Sequence, residues 1–74
     1  EMMIFPNPAN YKLTIQSDFT GVVEVFDLHG RHLFSKDISE ELILNTQHWE
    51  NGIYMIQFSS KNEMKDVQKI IIQH

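Results

Sequence analysis

Four histidines raise the question of a metal, and two of them are close together. His29 and His32 flank Gly30 and Arg31, with Asp27 just upstream. Two imidazoles can meet across a hairpin turn, but a zinc site takes three protein ligands plus water, or four protein ligands. Asp27 belongs to a run with strand periodicity, and alternation turns it away from one of the two rings. His48 and His74 lie elsewhere in the sequence and add no ligand. The expectation is a pair of exposed turn histidines, with no metal and no other cofactor.

The acids and the serines offer no catalytic arrangement either. Glu40 and Glu41 are adjacent and point to opposite faces of a strand. Acid–base catalysis wants two carboxyls converging on one cleft. No GxSxG elbow supplies a serine nucleophile. Gly21, Gly30 and Gly52 are the only glycines, and they form no phosphate-cradling loop. The chain reads as non-catalytic. Trp49 and Tyr54 admit two readings. As exposed loop aromatics they would stack on sugars, as in a carbohydrate-binding or adhesive module of a secreted enzyme. As structural residues, Trp49 folds back as a lid beside Leu42 and Leu44, and Tyr54 bonds its hydroxyl to upstream backbone as a tyrosine corner does. A small core needs large aromatic area, which favours the structural reading.

The elements that must position these residues are strands. Apolar residues recur at spacing two in short runs separated by turn residues. MMIF (2–5) is a short strand stopped by PNP; Pro6 and Pro8 cannot donate to a ladder, so it is an edge or a lead-in. KLTIQ (12–16) points Leu13 and Ile15 inward, and residues 18–21 turn. VVEVFDL (22–28) is apolar on both faces and reads as a central strand. The HGR stretch turns the chain, with Gly30 free to take positive φ. HLFSK (32–36) returns as its partner, and ELILN (41–45) puts Leu42 and Leu44 on one face. TQHWENG is a loop. IYMIQFS is a long strand with almost no charge, expected to be buried on both sides, and Gly52 ahead of it is expected in a conformation costly to other residues. SKNE (60–63) turns, and KDVQKIIIQ (65–73) is the last strand, with Ile70 and Ile72 on one face and Val67 and Ile71 on the other. About seven strands at a spacing of roughly 8–12 residues describe an all-β antiparallel sandwich. Leu13, Ile15, Val23, Val25, Leu44, Tyr54, Ile56 and Ile70 are its expected core.

Bulk properties narrow the rest. Seventy-four residues make one small domain, 1–74, and no cysteine is present to staple it. Ten acids against six bases leave a formal charge of −4, which argues against nucleic acid and suits an anionic membrane surface poorly. No apolar run approaches the roughly 18 residues of a transmembrane helix. The N-terminal residues lack the charged-then-apolar order of a signal peptide, and a start at Glu1 reads as a fragment or a processed piece. The last strand, if at a sheet edge, can be offered to a partner by strand addition, or to a second copy of the chain.

The ordered set FPNPAN, KLTI, VEVFDLHGR, NGIYMIQF and KIII covers nearly the whole chain. It resembles the C-terminal sorting domain of the type IX, or Por, secretion system. The resemblance implies an immunoglobulin-like sandwich of seven strands that forms the removable, non-catalytic tail of a larger secreted protein. It implies as partners an upstream cargo domain in the same chain, a shuttle protein, an outer-membrane translocon and a surface sortase. It also implies passage through the periplasm and outer membrane of a Gram-negative bacterium to the medium or the cell surface. Carried over, the family's N-terminal Asn-Pro element is Asn7 and Pro8, its mid-domain turn is Asp27 and Gly30, and its G-x-Y element is Gly52 and Tyr54. Its terminal basic-plus-aliphatic element, the export recognition strand, is Lys69 with Ile70, Ile71 and Ile72. Many members finish with lysine or arginine, whereas this chain ends in Gln73 and His74.

Overall fold

The computed structural model describes residues 2–61 and 64–74, so the turn expected over 60–63 lies partly outside the described residues. Among the described residues there are seven strands and no helix: β1 (Met2–Phe5), β2 (Lys12–Ser17), β3 (Gly21–Asp27), β4 (His32–Ile38), β5 (Glu41–Asn45), β6 (Gly52–Ser60) and β7 (Lys65–Ile72). They form an all-antiparallel sandwich, as the alternation predicts. One sheet has the order β1-β2-β5 and the other β4-β3-β6-β7. β1 is an edge strand, β3 and β6 are central, and β7 is the far edge of the larger sheet.

The inward-facing residues of both sheets interleave as the core. All eight expected core residues are buried, joined by Met2, Ala9, Ile38, Phe58 and Ile72. Buried positions mostly alternate with outward ones, because side chains in a strand point to opposite faces in turn; in β2 the intervening Thr14 is buried as well. Burying a side chain such as Phe58 or Ile56 contributes roughly 1.5–3 kcal/mol. β6 departs from expectation. Tyr54, Ile56 and Phe58 are buried against the small sheet, but Ile53, Met55 and Gln57 between them are only half-buried. A two-layer sandwich has no third layer to cover the far face of a central strand, so the uncharged run is buried on one side only.

Two further differences come from edges and close approach. β4 extends to the buried Ile38, two residues beyond the expected end. Ser35, Lys36 and Asp37 are exposed on this edge strand, so polarity there does not end the ladder. The turn expected over 18–21 ends earlier, because Gly21 is already paired with both Ile38 and Ser60. Its glycine serves proximity. A Cβ at this position would overlap the Ser59 carbonyl and lie 2.8 Å from the Phe58 ring.

Gly21→Ala should therefore destabilise the fold by about 1–3 kcal/mol, the usual cost of overpacking a tight site. The urea midpoint of the variant measures this, and an unchanged midpoint would refute the close-approach account.

Candidate functional site

The hairpin between β3 and β4 is built by Asp27. Its Oδ1 accepts the backbone N–H of His29 and of Arg31, both at 2.9 Å. Its Oδ2 lies 3.1 Å from Arg31 Nε, and Gly30 closes the turn at φ +82 with its N–H on the Asp27 carbonyl. The D-x-x-G pattern thus has a local cause: a carboxylate that satisfies two turn amides, and a glycine at a backbone angle that side chains resist. The Arg31 amide, helped by the His29 amide and the Arg31 charge, holds the Asp27 carboxyl below its ordinary value of 3.8 against the opposing effect of desolvation.

The loop before β6 reaches the same end of the sandwich. Asp27, Arg31, Glu50, Gly52 and Tyr54 line one shallow concavity there. Gly52 sits at φ +150. The Tyr54 hydroxyl donates to the Glu50 carbonyl at 2.7 Å. Burial raises its pKa first, the Glu50 and Asp27 charges next, and the bond to Glu50 opposes them. Trp49 packs on Tyr54 with ring centroids 5.0 Å apart at 47°, and edge-on against Phe34 at 5.7 Å and 61°. It closes the core beside Leu42 and Leu44. Trp49 is half-buried and packed against the core.

The histidines do not gather. His29 is exposed in the turn, while His32 lies in β4, with Nε2 3.2 Å from Glu24 Oε2 and 2.9 Å from Ser35 Oγ. Among the described residues no three of His, Asp and Glu are placed to hold a metal ion. His74, which in sequence stands out only as a departure from the family's basic ending, ties loops together. Its backbone N–H donates to Asn51 Oδ1, and its ring nitrogens lie 2.7 Å from Asn10 Oδ1 and from the Trp49 carbonyl. Thr46, wholly buried, bonds both Asn10 and Tyr11 through its hydroxyl and its amide.

Asn7 and Pro8 lie along the outer edge of β7. Ala9 pairs in parallel with Ile72, donating to the Ile71 carbonyl and accepting from the Gln73 N–H, each at 2.8 Å. Two residues earlier, the Asn7 side chain takes over the ladder. Its Nδ2 donates to the Lys69 carbonyl at 3.3 Å and its Oδ1 accepts the Ile71 N–H at 2.9 Å. The carboxamide stands where a neighbouring strand would place a peptide group, beside a Pro8 that has no N–H to donate. Ile70 and Ile72 are in the core, whereas Lys69 and Ile71 face outward.

Two consequences follow for stability. Tyr54→Phe should lose about 0.5–1.5 kcal/mol, the net worth of one hydrogen bond; chemical denaturation reads this, and an equal midpoint would contradict it. Because the Asp27 pKa is depressed by folding, its contribution is complete above 3.8 and lost as the pH falls through the lower folded value. The gap in melting temperature between wild type and Asp27→Asn should shrink as the solution is acidified below 3.8. A gap that stays constant in strong acid would contradict the assignment.

Comparison with known proteins adds to this geometry. A crystal structure of a DUF3244 family protein with an immunoglobulin-like β-sandwich fold, from Bacteroides vulgatus, superposes with a TM-score of 0.76 over 99% of this chain and 95% of that one. At 14% identity the likeness is one of fold. An endo-acting ulvan lyase of Formosa agariphila is 29% identical across an alignment of 77 positions that covers 99% of this chain and 15% of the lyase. The family described as the secretion system C-terminal sorting domain matches residues 3–73. A match over essentially the whole chain places it in that family: it is a C-terminal sorting domain, the module that marks a protein for export by the type IX secretion system.

Proposed function

We propose that this chain is the removable tail of a larger exported protein and that the end of β7 is what the export machinery recognises. The observation that carries the reading is the match to the sorting-domain family over residues 3–73, a span that includes Lys69, Ile70, Ile71 and Ile72. Ile70 and Ile72 anchor the strand in the core, leaving Lys69 and Ile71 to meet a partner. Asn7, Pro8, Asp27, Gly30, Gly52 and Tyr54 act indirectly, by shaping the turns and the seam that hold this strand.

The partners are a shuttle protein, an outer-membrane translocon and a surface sortase that cuts upstream of the domain and leaves the cargo in the medium or on the cell surface. The chain spans 15% of the lyase it matches, a proportion that supports a larger cargo joined to the tail. A polysaccharide-degrading cargo is the reading that relative supports. The tail adds binding information and no catalytic group, in keeping with a sorting module on an immunoglobulin-like fold.

The test changes side chains and spares the fold. Lys69→Glu with Gln73→Glu alters two polar positions near the free end while leaving Ile70 and Ile72 in place. With the melting temperature unchanged, secretion of a fused cargo should fall well below the wild-type rate. Secretion at the wild-type rate by the folded double variant would exclude β7 as the recognition strand.

A further inference from the structure

An edge strand is recognised through its unpaired peptide groups. Between the Lys69 carbonyl and the Gln73 N–H, four outward groups of the last strand are already engaged. Asn7 takes Lys69 O and Ile71 N–H, and Ala9 takes Ile71 O and Gln73 N–H. Ala9 is 1% exposed, so this occupant is seated as well as hydrogen-bonded. Its pairing is parallel to β7 and continues for only two register positions, one of them supplied by a side chain. The segment links β1 to β2, near the N-terminal end of the domain.

We propose that the outer edge of β7 from Lys69 to Gln73 is an acceptor site for an extended polypeptide segment, that residues 7–9 fill it as an internal ligand, and that a partner strand binds there by displacing them. The proposal rests on the reading of β7 as the export recognition strand. The fitting partner is an extended segment that runs parallel to β7, offers a donor and an acceptor two residues apart, and places a small apolar side chain where Ala9 sits. Bulk at that position would meet the closed core between the sheets. Displacement would free the segment around Asn7 and Pro8, so recognition at the C-terminal strand would loosen the link between β1 and β2 near the N-terminal end of the domain. Two ends 62 residues apart in sequence are thereby read as one surface.

The occupant's hold is weakest at Asn7, which is exposed and bonds through its side chain alone. Asn7→Ala removes two of the four bonds without touching the core. Hydrogen exchange of the Ile71 and Gln73 amides in the 74-residue chain should then quicken about tenfold, while Ile70 and Ile72 amides, facing β6, keep their rates. A labelled synthetic peptide of residues 4–11 is the probe for the acceptor edge. It should bind Asn7→Ala about fivefold more tightly than wild type, because the internal competitor is weakened. A peptide version with Ala9 replaced by Leu should bind neither. Unchanged exchange at Ile71 and Gln73, equal affinity for the two domains, or binding of the Leu peptide would each overturn the proposal. If exchange and peptide binding come out as expected while the Lys69→Glu, Gln73→Glu domain still exports its cargo normally, the acceptor edge stands and the export reading beneath it falls.

Discussion

The sandwich closes where its two ends meet. β1 and β7 are edges of different sheets, and nothing in the ladders joins them. The joint is made by side chains and short backbone pairings. The Met2 N–H donates to Asp66 Oδ2 at 3.0 Å, and the Gln68 amide returns a bond to the Met2 carbonyl. Asn7 and Ala9 then continue along β7 to Gln73. Met2, Ala9, Ile70 and Ile72 are buried along this line, so the seam seals apolar area as well as pairing polar groups. A chain of this size buries only about 60% of its unfolded surface and has no disulfide, so losing one seam would expose a large share of its core.

The opposite concern is geometry at the end where the motif residues collect. Asp27 fixes one turn, Tyr54 fixes the loop ahead of its own strand, and His74 draws residues 10, 49 and 51 together. None of these groups is arranged for chemistry. Each satisfies backbone that would otherwise be left unpaired, which is the recurring requirement of tight loops. The recognisable pattern of the sequence is thus largely a pattern of turn and seam construction. The outward side chains of β7, Lys69 and Ile71 among them, carry no such duty among the described residues.

The strands were readable because alternation is a local signal. Leu13 and Ile15, or Ile70 and Ile72, declare their shared face from four residues of context. The ladder partner of Asn7 was not readable, since it depends on contacts 62 and 64 residues away. Gly21 follows Asp18, Phe19 and Thr20 and reads as part of a turn, whereas its cause is the Ser59 carbonyl and Phe58 ring on another strand. The role of His74 was not readable, since its bonds go to Asn10, Trp49 and Asn51. The one-sided burial of β6 was not legible either, because an uncharged run looks the same whether one or two layers cover it. Glu40 at φ +76 was equally hidden; its carbonyl accepts the Ser17 N–H in the connection from β4 to β5, and glutamate gives no hint of positive φ.

The most direct measurement of the central claim is a transplant. The 74 residues are fused to the C-terminus of a reporter that normally stays in the periplasm, in a bacterium that carries the type IX machinery. The distribution of reporter among periplasm, cell surface and medium is then measured by fractionation. If the domain is a sufficient sorting signal, most of the reporter leaves the periplasm. Reporter retained in the periplasm with its tail intact and folded would contradict the account.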